Sequence, residues 1–508
     1  MLRSLVHSLV WCSAVAVLAS CGGGGGGGGA APPVPSITAI NGGLAGSGTA
    51  GSLFVVDGTG FGSPAVATAG YSVDFKDTAS GAVVASAAVN YAAGDWNDAY
   101  IKGTVPNGLT TSTTYKVAVT TAGGTSNAMD FTVVASVAFS PSTITWSAAT
   151  STLPAAVQGF PSVISTLTST ATTTSYLYVL GGNTASAATT TNGKALNTDA
   201  VYMNRLDNVT GGLPGSWTAT TALPAKLGFS AAVYANKFNS FAGGNGHVYV
   251  LGGLDSQGTA TTTVYHAAVK DDGSLDAWAE TTALPQALSA HGAVLVRGRV
   301  YVAGGNDTAG NPVKTVYTAP VQSNGSIGAW AALADLPDAR AYHQFVTVAG
   351  YLYVIGGDNT AVTPLSEAQS VSSQGNIYYA QINLLDGSLV NSAWTTNSGG
   401  IGKNREKFTA TVAGSYILLS GGLYNGQPGS SEQTYATINS DGSVSPFGGA
   451  TGSNTISGTL LPTPGYNFYN HANAYFVDAS GKPHVIILGG GDAVTGAPHN
   501  GVWVCSQQ

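Results

Sequence analysis

Cysteine and charge are the two things that this sequence has least of. Cys12, Cys21 and Cys505 are the only cysteines among its 508 residues, which excludes a disulfide framework, and no Cys/His spacing typical of a metal site occurs. Only 8% of residues are charged, the net charge is −7, and no basic cluster occurs. This balance excludes a nucleic-acid partner and an acidic lipid surface as an electrostatic partner.

Acidic residues suited to acid–base catalysis are also scarce. The chain has four glutamates, Glu280, Glu367, Glu406 and Glu432, and no paired-carboxylate or nucleophile–base spacing stands out. Glycine, by contrast, is abundant, with 70 residues, and short segments rich in Gly and Thr recur throughout. The composition therefore favours an all-β extracellular protein without a cofactor over a cytosolic enzyme.

The N-terminus indicates export. Arg3 precedes a short apolar stretch, Leu9 to Leu18, which is too short to span a bilayer stably. It ends in Leu18-Ala-Ser-Cys21, which resembles the lipobox of bacterial lipoproteins. The resemblance implies a signal peptide over residues 1–20, a lipidated Cys21 anchored in the lipid bilayer, and an outer-membrane or cell-surface location. Ordinary signal-peptide cleavage is the alternative.

Residues 21–35 have the composition of a tether. Gly22 to Gly29 is an uninterrupted glycine run, and a Pro-rich segment follows it up to Pro35. Polyglycine is flexible and the Pro-rich end is stiffer, so this stretch predicts a spacer between the membrane and the folded body.

Residues 36–134 carry short alternating strands separated by glycine turns, a pattern typical of a β-sandwich. The motifs resemble the IPT/TIG family: Pro35-x-Ile-x-x-Ile40, Gly58-Thr-Gly-Phe-Gly62, Val105-Pro106 and a closing hairpin ending at Asn127. The resemblance implies an immunoglobulin-like domain that acts as a spacer or adhesive element.

The remaining chain repeats a hydrophobic strand that ends in two glycines. The first glycines of these pairs are separated by 71, 52, 52, 65 and 68 residues, and they stand at positions 181, 252, 304, 356, 421 and 489. Further features recur after most of these pairs: a second strand with Tyr, an Asp-Gly-Ser-like turn, a Trp and a Leu-Pro pair. Asp-Gly turns suit tight hairpins. The period predicts an array of β-units.

These repeats resemble the kelch repeat. The resemblance implies a six-bladed β-propeller over residues 135–508, with four strands per blade. The last unit lacks a fourth strand, whereas Thr145-Trp146 and Leu153-Pro154 form an orphan one. We therefore expect the segment 143–148 to close the ring, which removes an open sheet edge.

Polar residues directly after the glycine pairs are expected to surround one mouth of the channel, with Arg and His at the start of the inner strands. Such a ring suits hydroxyl-rich or carboxylate-bearing ligands. The predicted ligand-binding residues are Arg340, Arg405, His291, His343, His471, Asn306, Asp307, Asp358, Asn359 and Asp492, with Asn183, Asp255 and Asn425 as further members of the mouth. Packing and turn formation are the alternative roles of each.

Two functions remain open from the sequence. The first is an anchored lipoprotein whose propeller binds a glycan or a protein. The second is a sugar-converting enzyme that resembles sialic acid mutarotases. A copper radical oxidase is disfavoured, because it requires a cysteine-linked tyrosine and Cys505, at the chain end, is the only cysteine of the repeat region. Binding is favoured over catalysis.

Overall fold

A computed structural model describes most of the chain after residue 30. The described residues are 31–40, 45–48, 53–64, 69–89, 96, 98–133, 140–141, 144–168, 173–184, 196–207, 211–235, 245–296, 298–322, 324–348, 350–361, 373–383, 386–397, 400–424, 432–439, 441–447, 468–478, 482–492 and 497–507. The expected signal peptide, Cys21, the glycine run and Asn425 lie outside them. Within these ranges the protein is all-β and has no α-helix, so no described helix could cross a membrane.

The N-terminal module consists of two sheets that share one core. Its strands are β1 (Ser36–Ile40), β2 (Ala45–Gly48), β3 (Leu53–Thr59), β4 (Ser72–Asp77), β5 (Val83–Ser86), β6 (Tyr100–Thr104), β7 (Thr113–Thr121), β8 (Gly124–Thr125) and β9 (Met129–Val133). One sheet has the order β1-β3-β6, and the other has the order β2-β9-β7-β4-β5, with β8 on β7.

Aromatic side chains fill the space between these two sheets. Phe54 of the first sheet contacts Phe75 and Phe131 of the second edge-to-face, at ring-centroid distances of 5.4 and 5.6 Å. Phe61, from the glycine-rich motif, is fully buried in the same core, and the indole of Trp96 donates to its carbonyl at 2.9 Å. The glycine-rich motif therefore places an aromatic side chain in this core.

The described part of the repeat region forms six sheets of three or four strands, named here the first to the sixth, and two short two-stranded ladders. The first four are β11–β14 (Ser162–Thr168, Thr173–Leu180, Val201–Arg205, Thr218–Ala219), β15–β18 (Ala231–Ala235, His247–Leu251, Val264–Ala268, Ala279–Glu280), β19–β22 (Gly292–Val296, Arg299–Ala303, Val316–Pro320, Ala331–Ala332) and β23–β26 (Gln344–Val348, Tyr351–Ile355, Ile377–Gln381, Thr395–Asn397). All their neighbouring strands pair antiparallel.

The last two sheets and two short ladders complete the region. The fifth sheet contains β28 (Thr409–Ala413), β29 (Tyr416–Ser420) and β31 (Gln433–Thr437). The sixth contains β33 (Ala472–Val477), β34 (Pro483–Leu488), β36 (Val502–Gln507) and β10 (Ile144–Ala148). The ladders pair β27 (Arg405–Glu406) with β30 (Leu423–Tyr424), and β32 (Phe468–Tyr469) with β35 (Gly491–Asp492).

The sixth sheet joins the two ends of the repeat region. β10 pairs antiparallel with β36, so that Trp146 lies opposite Cys505. The strand around Trp146 thus lies at the edge of the sixth sheet. In addition, the first strands of the six sheets contact each other in chain order, and β33 of the sixth sheet contacts β11 of the first. No first strand among the described sheets is therefore left without a neighbour on either side.

The glycine pairs connect each sheet to the next one. The second glycine of every pair donates its N–H to a carbonyl just before the first strand of the following sheet, at 2.6–2.8 Å. The six bonds run Gly182 to Leu227, Gly253 to Leu288, Gly305 to Arg340, Gly357 to Arg405, Gly422 to Phe468 and Gly490 to Val157. The last of these returns to the first sheet, so the bonds form a closed circuit.

Two local conditions require glycine at these pairs. The first glycine has φ between 53° and 64°, the second between 89° and 105°, and both values disfavour residues with a Cβ. At Gly357, a Cβ would also collide with the Ala341 carbonyl and with His343. The repeated motif is thus a sheet-to-sheet contact that leaves no room for a side chain.

The recurring tyrosines and tryptophans make further contacts between sheets. The buried hydroxyls of Tyr178, Tyr249, Tyr301 and Tyr353 each donate to the glycine carbonyl in the Asp-Gly-Ser-like turn of the next sheet, at 2.6–3.1 Å. The indoles of Trp278, Trp330 and Trp394 donate back to carbonyls of the preceding sheet, at 2.9–3.1 Å. The shared sequence features therefore hold neighbouring sheets together.

Substituting alanine at two glycines separates backbone strain from steric conflict. Gly310 has φ 81° and no heavy atom within 4 Å of the place that a methyl group would take, whereas Gly357 has φ 95° and two close neighbours. We expect Gly310→Ala to lower the free energy of unfolding by about 1–2 kcal/mol. Gly357→Ala should cost at least about 3 kcal/mol, because strain and collision add. Urea unfolding of both variants measures this, and equal losses would contradict the docking role of Gly357.

Candidate functional site

The end of the sheets that carries the glycine pairs is closed by a ring of six residues. Five of them stand two residues before the start of a first strand, and Gly159 stands three residues before one. All have φ between 50° and 59°: Gly159, Phe229, Ala290, Tyr342, Lys407 and Asn470. Each N–H donates to the carbonyl of the preceding member at 2.6–3.1 Å, and Gly159 donates to Asn470. Five of the six are not glycine, so this left-handed conformation costs about 1–2 kcal/mol per residue and is imposed by the ring.

The side chains of this ring fill the centre of the mouth. Phe229 and Tyr342 contact edge-to-face at 6.2 Å, and the Lys407 ammonium lies 5.1 Å from the centre of the Tyr342 ring. Asn470 donates to the Gln158 side chain at 3.3 Å. Phe229, Tyr342, Lys407 and Asn470 are all buried. The predicted open mouth is therefore occupied by the protein's own side chains.

Residues directly after the glycine pairs form a second layer beside this ring. Each pairs through its backbone with the residue that precedes a ring member, as Asn183 does with Gln158, Asn306 with Ser289 and Asp358 with Ala341. Asn183, Asn306 and Asp358 are buried, with exposures of 1%, 3% and 0%. These polar side chains thus face packed protein, where the sequence had predicted an open rim.

Other predicted mouth residues serve as turn formers. The Asp307 carboxylate accepts from the N–H groups of Ala309 and Asn311, both at 2.9 Å. Asp255 accepts from Gln257 and Thr259 in the same way. Asp358 accepts from the Thr360 N–H at 2.7 Å. Asn359 is half-buried, and Asp492 is buried in the ladder with β32. A role in ligand binding stays a prediction for all of them.

Arg340 is fully buried and held by its own sheet. One Nη donates to the Ala339 carbonyl at 2.9 Å and the other to the Tyr378 hydroxyl at 2.7 Å. That hydroxyl donates to Asp338 at 2.9 Å, and Asp338 lies 3.6 Å from the guanidinium. Arg340 thus connects the segment before the fourth sheet to its third strand.

Arg405, at the equivalent position before the fifth sheet, binds a glutamate instead. Its Nη2 donates to Oε2 of Glu432 at 2.9 Å, and the Lys403 ammonium contacts both oxygens of that carboxylate. Arg405 is 2% exposed. A buried ion pair of this kind fixes geometry more than it adds stability, because both charges lose their hydration. The two predicted arginines therefore anchor the loops around the ring.

A group of buried charges lies where the fourth and fifth sheets meet, and sequence reasoning overlooked two of its members. Glu406 and Lys407 are 0% and 3% exposed, and Asp358 is 0% exposed. Burial lowers the pKa of Lys407, while the charges of Glu406 and Asp358 act in the opposite direction. The sequence signal was available, because Lys403, Arg405, Glu406 and Lys407 form a dense charge run in a chain with few charges.

The predicted histidines lie at equivalent positions, one residue after a ring member. Burial lowers the pKa of His291 to about 4. Burial and the nearby Arg340 charge lower the pKa of His343 to about 3. Burial and His499 lower the pKa of His471 to about 3, and its Nε2 lies 2.8 Å from the Thr409 hydroxyl. The histidines are therefore neutral at pH 7, and their role in ligand binding stays a prediction.

No three His, Cys, Asp or Glu side chains of the described residues converge as a metal-binding group. The charged groups that do converge, around Tyr342 and Arg405, are engaged with one another inside the protein. Among the described residues, this arrangement holds the ends of the six sheets together.

Comparisons with known proteins relate the chain to kelch-repeat proteins. No family model matches it. A stretch of 173 residues is 25% identical to beta-scruin of Limulus polyphemus, a kelch-repeat protein. The match covers 32% of this chain and only 16% of beta-scruin. The chain is therefore a distant relative of a kelch-repeat protein, and its described part is all-β.

The buried histidines predict acid sensitivity. His291, His343, His471 and His499 have folded-state pKa values of about 4, 3, 3 and 4, below the unfolded value of about 6.5. As the pH falls below about 6.5, the unfolded chain takes up protons first, so the free energy of unfolding falls toward pH 4. Each histidine contributes a slope of up to about 1.4 kcal/mol per pH unit.

Chemical unfolding between pH 7.5 and 5 measures this slope, since carboxylates titrate mainly below that range. His343→Phe is the matched variant, because Phe160 and Phe408 occupy equivalent positions before the first and fifth sheets. We expect a shallower pH dependence in the variant. An unchanged slope would show that His343 does not titrate with unfolding.

Proposed function

We propose that the six sheets are the blades of a closed six-bladed kelch-type β-propeller. The closed circuit of glycine-pair bonds, the ring around Tyr342 and the β10–β36 pairing support this architecture. The similarity to a kelch-repeat protein supports it independently. We further propose that the two-sheet module before it is an immunoglobulin-like domain of the IPT/TIG type, on the strength of its motifs and shared core.

The propeller acts in this proposal as a binding module for a protein or glycan ligand. Relative to the shorter repeats, the sequence carries long insertions at residues 183–200, 358–375 and 448–458, and the described ends of the first two support this proposal. Thr184 and Leu196 flank one insertion and are joined by a backbone bond of 3.0 Å, and Asp358 and Ser373 bridge across another. Both pairs lie on the face that carries the ring. The insertions therefore start from a rigid platform, where loops commonly carry recognition.

Replacing the insertions tests this assignment. Segments 185–195 and 362–372 are each exchanged for a Gly-Ser linker of equal length in the full-length protein. The control exchanges residues 236–244, which connect β15 to β16 at the opposite end of the second sheet. We expect hits from a glycan array and a displayed-peptide library to weaken at least about tenfold in the two variants only. Loss in the control alone would place the binding face at the other end.

A sugar-converting enzyme is the second candidate. The burial of Glu406, Lys407 and Asp358 and the lowered pKa of Lys407 favour it, because buried acid and base groups are what such chemistry requires. Their burial argues against access by a substrate. Anomer exchange of sialic acids and other sugars, followed by NMR on the same protein and on Glu406→Gln, decides between the two. Turnover that the variant loses would favour the enzyme.

We also propose export and anchoring through Cys21, which support a surface role. The lipobox-like Leu18-Ala-Ser-Cys21 and the glycine run behind it carry this proposal. We expect radioactive palmitate to label the protein expressed in a Gram-negative host, with the protein in the membrane fraction. Cys21→Ala should abolish the label and release the protein, and Cys12→Ala is the matched control. Label on Cys21→Ala would contradict the anchor.

A further inference from the structure

Two histidines of the second sheet lie side by side outside the mouth. His247 opens β16 and His266 lies in the middle of β17, and both side chains are half-buried. In the register of the two strands, His266 lies opposite Tyr249. Tyr249 stands two residues after His247 on β16. Residues 247, 249 and 266 therefore share one face of the sheet.

The two imidazoles approach through their Nδ1 atoms. The distance between these atoms is 3.2 Å, with ring centroids 5.2 Å apart and a 28° angle between the ring planes. Nitrogen ligands of a tetrahedral metal ion, at about 2.0–2.1 Å from the metal, lie about 3.3 Å from each other. The pair is therefore spaced as two ligands of one ion, and a small rotation of each ring would direct both lone pairs to a shared point.

Neighbouring groups hold both rings in place. His266 stacks on Tyr249 at 5.8 Å and 12°, and Tyr249 is itself fixed by its bond to the Gly325 carbonyl. His247 packs over Gly325, where a side chain would collide with its ring. Fixed imidazoles bind metal better than mobile ones, because little side-chain entropy is lost on binding.

The electrostatic surroundings also suit a cation. Burial, followed by the charge of His266, lowers the pKa of His247 to about 4, and burial lowers the pKa of His266. Both rings are therefore neutral at pH 7, as metal ligands must be. The charge of Asp276 raises the pKa of His247, so a carboxylate lies within electrostatic reach of this ring. Asp276 also forms an ion pair with Lys270 at 3.3 Å.

We propose that His247 and His266 form a binding site for a divalent transition-metal ion that prefers imidazole nitrogen, Zn²⁺ or Cu²⁺, with water completing the coordination. In the metal-free pair one Nδ1 donates to the other. Binding moves that proton to Nε2 of the same ring, so both Nδ1 lone pairs face the ion and no net proton is released. The ion would join β16 to β17 beside the turn of the third sheet.

The repeats supply matched variants. Tyrosines occupy the position of His247 in three other sheets, Tyr176, Tyr351 and Tyr416, and Tyr379 occupies that of His266 in the fourth sheet. Tyr379 stacks on Tyr353 at 6.1 Å and 19°, much as His266 stacks on Tyr249. His247→Tyr and His266→Tyr should therefore keep the packing and remove one ligand each.

Calorimetric titration of the untagged full-length protein with Zn²⁺ tests the proposal. We expect saturable binding of one ion per chain and a rise in the melting temperature, with affinity at least about tenfold lower in each tyrosine variant. Absence of Zn²⁺ binding to the unaltered protein would overturn the proposal. An affinity for Zn²⁺ in both variants equal to that of the unaltered protein would overturn it as well.

Electron paramagnetic resonance with one equivalent of Cu²⁺ gives a test that needs no variant. Nitrogen couplings from two imidazoles are expected. A spectrum with one nitrogen or none in the unaltered protein would overturn the site, even if a tyrosine variant failed to fold.

Discussion

The hydrogen bond from the second glycine of each pair to the entry of the next sheet is the contact on which the repeat region depends. Six such bonds form one circuit, and a second circuit joins the six left-handed residues around Tyr342. A buried backbone group without a partner is costly, so no sheet can leave either circuit without penalty to two others. The strain of five non-glycine residues with positive φ is sustained because the circuits fix them from both sides.

Much of this architecture was predictable because its signals are short and chemical. The glycine pairs and the Asp-Gly-Ser turns mark positions that need positive φ, and the orphan Trp146 strand could be matched to the incomplete last repeat. The inner ring was not predictable in this way. Gly159, Phe229, Ala290, Tyr342, Lys407 and Asn470 share no side-chain chemistry, and tertiary bonds impose their conformation. Their only common signal is position, since Phe229, Ala290 and Tyr342 each lie six residues after the Leu of a Leu-Pro pair.

The sequence indicated where the candidate residues lie but not that they are buried. Asn306, Asp358 and the two arginines do lie at the end of the sheets where the spacing put them. Sequence alone could not show that they are buried, because burial there depends on the side chains of other sheets, such as Phe229 against Tyr342. Glu406 and Lys407 were overlooked for a related reason. Their significance comes from Asp358, which is distant in sequence and adjacent in the fold.

The filled centre changes where recognition can take place on this scaffold. With Tyr342, Lys407 and Asn470 packed at the axis, a ligand on this face meets the loops around the ring rather than a cavity inside it. Such loops can vary in length at little cost, because closure entropy grows slowly with length and their ends are bonded to each other. His247 and His266 lie at positions that carry tyrosines in some of the other sheets, and neither residue takes part in either circuit. The bonds that close the ring therefore leave both the loops and the sheet flanks free to differ between repeats.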